Sequence, residues 1–333
     1  MTRRRHPPAP PRPAALRRPW GGPAGLDQPG TGLSYPQLLR PSVLVGHGWL
    51  RPVVGCVLGL GVFLTAAAVV NQAVVAAGWV LAGRPASWAD FAAAAARFEH
   101  PVGMLAANLA IAVVLLPTTA ALMLLGHRRR PGWLVSVAGR PRWRWLAVSF
   151  AVALPVFGGL LVGSAVLSPG PAPGPQPALA GFLAVIVLTS PLQATAEEVF
   201  FRGYLTQALG SLAGRPAFGI VASSVMFAAL HGAQNPPLFL NRLAFGLLAG
   251  LLVWLTGGLE APIAAHVVNN VLAYTAAAAT GTIAELRAVD ELSWAASATG
   301  TFGYAVFGVL AVAAARRRLA TLTTTTGQAH DAS

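Results

Sequence analysis

Residues 179–209 read LAGFLAVIVLTSPLQATAEEVFFRGYLTQAL, an apolar run that contains two adjacent glutamates and an arginine. About 20 apolar residues in a helix are enough to cross the roughly 30 Å hydrocarbon core of a bilayer. A charged side chain at the centre of that core costs about 2.5–3.5 kcal/mol on insertion scales. The stretch therefore predicts a transmembrane helix whose charged residues have a functional role.

Similar apolar runs recur along the chain, and they set the fold class. The 333 residues are 55% hydrophobic and only 10% charged, whereas a soluble domain has about 25% charged residues. We predict an all-α, polytopic transmembrane helical bundle, because an outer-membrane barrel would show short alternating segments. About eight spans are expected, at 53–82, 102–126, 145–168, 179–209, 217–232, 238–256, 260–280 and 300–315.

Some features of the spans leave alternatives open. Asn71 and Gln72 interrupt the first span and the last one is short, so seven spans are the alternative count. Gly246-x-x-x-Gly250 predicts close helix packing. The single cysteine, Cys56, excludes a disulfide within the chain.

The regions outside the bundle differ in composition. Residues 1–45 are rich in Pro, Arg and Gly, and residues 319–333 are rich in Thr. Neither segment can bury enough apolar surface to offset its ordering entropy. We predict disordered tails at 1–45 and 319–333, with the bundle at 46–318.

The formal charge of +13 comes from 23 basic residues, all of them arginine. If the spans alternate, 19 of these arginines fall on one side, and the exceptions are Arg84, Arg97, Arg242 and Arg287. The positive-inside rule then places both termini in the cytoplasm of a multi-pass cell-membrane protein. No basic domain is long enough to form a DNA-binding face, so the predicted partners include membrane lipids and exclude nucleic acid.

Polar groups within the later spans define a candidate site. Glu197 lies 17 residues before Gly214, and His231 lies 17 residues after it. At about 1.5 Å per residue, both are roughly 25 Å from that turn on antiparallel neighbours. His266 and Asn270 are four residues apart and share a helix face. We expect these four side chains to lie at one depth in the membrane if the hairpin that turns at Gly214 extends about two helical turns into the cytoplasm.

This combination of side chains suits the activation of water. A carboxylate and an imidazole can hold a water and take its proton. A second imidazole and a carboxamide can donate to the oxyanion that forms when the water attacks a carbonyl. Glu197, His231 and His266 would equally serve as ligands of a catalytic zinc ion.

Three patterns, in this order on the fourth, fifth and seventh spans, carry a family resemblance: Glu197-Glu198-x-x-x-Arg202, Phe227-x-x-x-His231 and His266-x-x-x-Asn270. Over residues 145–280 they resemble the CPBP intramembrane proteases, which include the eukaryotic CAAX prenyl endoprotease and bacterial proteins linked to bacteriocin processing and self-immunity. The resemblance implies an endopeptidase acting on a membrane-associated protein or peptide.

The resemblance also implies residue roles. Glu197 and His231 activate the water, His266 and Asn270 form the oxyanion site, and Glu198 and Arg202 support it. The cofactor is either none or Zn²⁺.

Other functions stay open at this stage. A proton-coupled transporter could use Glu197 and the histidines as a relay. A non-catalytic scaffold or immunity protein could keep Glu198 and Arg202 as a neutralising ion pair. In that case, His266 and Asn270 would only bond neighbouring helices.

Overall fold

The computed structural model describes residues 28–44, 46–167, 174–319 and 322–324 of the chain. Within these ranges the protein is helical, and its only β features are two isolated bridges. The predicted all-α class is confirmed.

Nine helices form the body of the described part of the chain. They are α1 (Leu50–Leu81), α2 (Trp88–Ala96), α3 (Pro101–Gly126), α4 (Trp143–Leu167), α5 (Leu179–Ala213), α6 (Pro216–Ala229), α7 (Pro236–Thr256), α8 (Glu260–Thr280) and α9 (Trp294–Arg318). Shorter helical turns lie at Tyr35–Gln37, Arg40–Val43, Gly132–Val135 and Ile283–Ala288.

Six of the helices are long and apolar enough to cross a membrane, namely α1, α3, α4, α5, α7 and α9. These helices make the chain a multi-pass membrane protein. Each predicted span coincides with a helix, and α1 runs unbroken through Asn71 and Gln72. The predicted count of eight is not confirmed. Helix α6 has only 14 residues, about 21 Å of helix, and polar side chains lower the hydropathy of α8.

Helix α5 lies at the centre of the bundle and packs against α3 and α8. Asn108 of α3 donates from Nδ2 to Thr189 Oγ1 at 2.9 Å and to Ser190 Oγ at 3.1 Å. Such interhelical bonds satisfy polar groups that lipid cannot solvate. They hold the first half of α5 in place, directly before its glutamates.

Helices α6 and α7 form a tight antiparallel hairpin beside the second half of α5. A Cβ atom at Gly246 would lie 2.8 Å from Ser224 Cβ, and one at Gly250 would lie 2.7 Å from Ile220 Cγ2. The glycines thus allow the two backbones to approach closely, as predicted from their spacing.

The described part of the N-terminal segment corrects the predicted tail boundary. Tyr35, Leu38 and Leu39 are fully buried in the main core, and the Tyr35 hydroxyl donates to the carbonyl of Leu134. Thr324 also bonds this segment, accepting from Leu33 N at 3.0 Å. These few apolar side chains supply enough burial to order residues 28–44. The predicted tails at 1–27 and 325–333 lie outside the described residues.

Most described arginine-rich segments meet at one end of the bundle. The turn at 132–139 joins the α7–α8 turn there, because Val137 N donates to Gly257 O at 2.9 Å. The first and last described segments meet at the same place, because Gly32 N donates to Thr324 O at 2.8 Å and Leu322 O lies beside Gly257. This common end agrees with the alternating spans. Its assignment to the cytoplasm stays a prediction.

Candidate active site

The site begins where α5 changes its winding. The helix is α-helical through Glu197, π-helical over Glu198–Leu205 and α-helical again to Ala213. π-Helical turns are rare and occur frequently at functional sites. The sequence predicted a helix here but gave no signal for the wider turn.

A buried charge network surrounds Glu198. Its Oε1 atom accepts from Arg202 Nη1 at 3.0 Å and from His266 Nδ1 at 2.8 Å. Glu198 and Arg202 are both 0% exposed, and His266 is 6% exposed. The bond therefore fixes the ring of His266 on α8 against α5.

The second nitrogen of His266 faces the neighbouring glutamate. His266 Nε2 lies 3.7 Å from Glu197 Oε2, and Glu197 is 8% exposed. This separation is longer than a direct hydrogen bond. Both groups consequently keep capacity for a further partner, such as a water or a substrate oxygen.

His231 lies just beyond the end of α6, on the open side of the cluster. Its Nδ1 atom is 2.7 Å from the carbonyl oxygen of Phe227, so Nδ1 carries the hydrogen and Nε2 keeps its lone pair in the neutral ring. Glu197, His266 and Arg242 are its charged or titratable neighbours. The His231 side chain is exposed, and in the described structure no direct hydrogen bond joins it to Glu197.

Asn270 lies one turn beyond His266 on α8. It donates from Nδ2 to Gln193 Oε1 at 3.2 Å, and its own Oδ1 accepts from Asn269 at 3.2 Å. Gln193 lies one turn before Glu197 on α5. The two helices therefore meet at two successive levels, Gln193 with Asn270 and Glu197 with His266.

Two phenylalanines form an aromatic wall around the charges. The guanidinium carbon of Arg202 lies 4.0 Å from the ring centroid of Phe227 and 4.7 Å from that of Phe245. Phe227 contacts the His231 ring edge-on, and Phe245 contacts His266 in the same way, at centroid distances of 4.5 and 5.0 Å. The wall holds both imidazoles and covers the cation.

The structure thus brings Glu197, Glu198, Arg202, His231 and His266 into one cluster, with Asn270 one turn away. Sequence reasoning missed Gln193 and Phe245 as parts of this site. The polar Gln193, one turn before Glu197 in an apolar run, was an available signal. Phe245 gave none, because an aromatic residue in an apolar helix is ordinary.

The candidate zinc ligands are not grouped as a metal site in the described structure. Among the described residues, no group of three or more His, Cys, Asp or Glu side chains is arranged to hold a metal ion. Zinc binding by Glu197, His231 and His266 stays a prediction from the sequence.

Comparison with known proteins supports the motifs. Residues 179–272 match the family described as type II CAAX prenyl endopeptidase Rce1-like. The uncharacterized protein YyaK of Bacillus subtilis (strain 168) is 36% identical over 95 residues, which are 26% of this chain and 31% of YyaK. No solved structure matches the chain.

The match falls within the predicted range of 145–280 and covers every motif residue from Glu197 to Asn270. It spans α5 to α8, the helices that carry the buried cluster. Over this segment, residues 179–272, the chain is similar to the Rce1-like type II CAAX prenyl endopeptidases.

Proposed function

We propose that this protein is an intramembrane endopeptidase that hydrolyses a peptide bond of a membrane-associated protein or peptide. The observation that carries the proposal is the buried cluster of Glu197, Glu198, Arg202 and His266, with His231 beside it, inside an apolar bundle. Charged side chains are costly to bury inside a membrane, and those that occur there usually have a function. The Rce1-like match supports peptide hydrolysis as that function.

In the proposed mechanism, Glu197 and His231 take the proton of the attacking water. A carboxylate is an acceptor in its ionised form, and Nε2 of neutral His231 holds a lone pair because Nδ1 bonds Phe227 O. Two acceptors can orient one water and leave its oxygen free to attack the carbonyl carbon.

His266 and Asn270 are proposed to stabilise the oxyanion. Nδ1 of His266 carries a hydrogen, because it bonds the carboxylate of Glu198. When the ring is protonated on both nitrogens, Nε2 also carries a hydrogen and can donate to the oxyanion. Glu198 then neutralises the imidazolium, and Arg202 balances the charge of Glu198. Asn270 supplies one amide N–H one turn away, because the other hydrogen on its Nδ2 bonds Gln193. Fixed donors in a dry site are worth far more than donors in water.

The reaction is completed by breaking the carbon–nitrogen bond. The proton taken from the water passes from Glu197 or His231 to the leaving amine nitrogen, and the oxyanion collapses to a carboxylic acid. Both acceptors return to their starting state. No step needs a metal ion or a redox partner.

The wider setting of the enzyme follows the sequence predictions. We propose a multi-pass protein of the cell membrane with cytoplasmic termini, contacting membrane lipids and no nucleic acid. The substrate class is a membrane-associated protein or peptide cleaved in the manner of a CAAX protease. A metal analysis of purified protein checks the metal-free proposal, with substoichiometric zinc as the expected result.

The direct test compares cells that produce the wild-type protein with cells that produce Glu197→Gln. Quantitative proteomics of peptide termini should show cleavage products that are present in the wild type and lost in the variant. Glu291→Gln, an exposed acid in a loop, is the matched control and should keep those products. Identical termini in wild-type and Glu197→Gln cells at equal membrane levels would end the enzyme proposal.

A further inference from the structure

Arg242 is the one charged residue of α7 and lies on its second turn, within a largely apolar helix. In the described part of the chain, no Asp or Glu oxygen lies within 4.0 Å of its guanidinium nitrogens. An arginine inside a span without an acidic partner is costly, and such residues generally mark a binding or transport pathway.

Its position is tied to the turn that holds His231. Arg242 Nη1 donates to Gln234 Oε1 at 2.7 Å, and Gln234 Nε2 donates to Ala228 O at 2.6 Å. The same carbonyl accepts from His231 N at 3.3 Å. Arg242 is also a charged neighbour of the His231 ring. The guanidinium therefore lies at the open side of the candidate site.

Arg242 also has unused binding capacity. A guanidinium has five N–H donors, of which one bonds Gln234. The side chain is half-buried, so the remaining donors stay accessible. In contrast, Arg84 and Arg287 at the same end of the bundle lie over the rings of Trp79 and Phe98, each at 5.2 Å.

We propose that Arg242 binds a carboxylate of the peptide substrate beside His231. The fork of a guanidinium matches the two oxygens of a carboxylate, and an incoming anion would neutralise the uncompensated charge. The carboxylate is the free C-terminus of the substrate or an acidic side chain, a few residues from the scissile bond at about 3.3–3.6 Å per extended residue. This inference rests on the proposed peptidase function.

The test measures binding rather than cleavage, so its failure is separate from that of the peptidase proposal. Glu197→Gln protein in lipid nanodiscs is titrated with short peptides of Ala, Leu and Val that carry an uncharged fluorophore at the N-terminus. One peptide ends in a carboxylate, a second in a carboxamide, and a third ends in a carboxamide but contains one Glu.

We expect at least one acidic peptide to bind about 10-fold more tightly than the neutral peptide, the size of a hydrogen bond to a charged group. The acidic peptide that shows this preference identifies the source of the carboxylate. Adding Arg242→Gln to the Glu197→Gln protein should reduce the preference to about 1-fold, and adding Arg242→Lys should retain part of it. Adding Arg287→Gln is the matched control and should leave the preference intact.

Three results would overturn the inference. Equal affinity for all three peptides in the Glu197→Gln protein would show that no carboxylate is recognised. A preference that survives Arg242→Gln, or an equal loss of affinity for neutral and acidic peptides, would leave Arg242 as a brace for the His231 turn only. Arg242→Lys keeps the charge, so it remains informative if the Gln variant does not fold.

Discussion

In the described part of the chain, two arginine–glutamate pairs are built differently, one partly buried and one fully buried. At the α7–α8 turn, Arg142 donates to Glu260 from Nε at 2.8 Å and from Nη2 at 2.6 Å. Its backbone N–H adds a third bond to Glu260 at 3.0 Å, and Nη1 bonds Thr256 O at 2.8 Å. Every oxygen of that carboxylate is satisfied.

The pair inside the candidate site, Glu198 with Arg202, lacks some of its hydrogen-bond partners. Glu198 Oε2 is buried without a hydrogen-bond partner, and so are Nε and Nη2 of Arg202. Instead, Glu198 Oε1 bonds His266, and Arg202 stacks between two phenylalanine rings. Buried unsatisfied groups cost stability. The first pair therefore joins the segment before α4 to the start of α8. The second pair bonds His266, and under the proposed function it holds that ring for catalysis.

Replacing Glu198 by Gln should give the largest effect. The amide preserves the shape but removes the charge that neutralises His266, so we expect catalytic efficiency to fall about 10³ to 10⁴-fold, as when the acid that orients a catalytic histidine becomes an amide. The measurement is kcat/KM on a substrate found by the proteomic comparison. A kcat/KM of Glu198→Gln within 10-fold of the wild type would indicate that Glu198 and Arg202, like Arg142 and Glu260, have a structural role only.

Replacing Glu260 by Gln should act on stability instead. The change leaves the partly buried Arg142 without its counter-charge. We expect a cost somewhat below the value of about 3–5 kcal/mol for breaking a fully buried pair. Thermal unfolding in detergent should show a clearly lower Tm, while kcat per folded molecule stays within about 3-fold of the wild type. An unchanged Tm together with lost activity would reverse the assigned roles of the two pairs.

Replacing Arg202 by Lys tests the geometry of the site pair more gently. Lysine keeps the charge but loses the planar group that lies between Phe227 and Phe245. We expect kcat to fall about 10 to 100-fold, with little change in KM. A mainly raised KM would indicate that Arg202 contributes to substrate binding rather than to holding Glu198.

The smallest effect is expected at Gln193. Gln193→Ala removes the partner of Asn270 and should lower kcat about 3 to 10-fold, the value of one neutral hydrogen bond. Gln193→Glu keeps an acceptor for Asn270 and is expected to recover part of the rate. Equal losses in both variants would mean that the contact does not position Asn270.

Much of the site could be predicted because helix geometry is regular. The spacing of Glu197 and His231 about the Gly214 turn placed them on neighbouring helices, and the four-residue spacing of His266 and Asn270 placed both on one helix face. Buried charges in apolar runs are rare, so they stand out in a sequence. This is why the motif residues were found without coordinates.

The remaining features depend on contacts between distant segments. The pairing of Arg142 with Glu260 and of Gln193 with Asn270 follows from how helices pack, which local spacing does not encode. The order of residues 28–44 likewise depends on Tyr35, Leu38 and Leu39 finding a groove elsewhere in the bundle. The π-helical turn after Glu197 has no known sequence pattern in this chain.

The most direct test asks whether Glu197 and His231 act on the same water. The kcat/KM of Glu197→Gln, His231→Ala and the double variant should be measured with one peptide substrate in nanodiscs. Groups that act as a unit lose activity non-additively, so we predict that the double variant is within about 3-fold of the slower single variant. A double variant slowed by the full product of the two single effects would contradict a shared water.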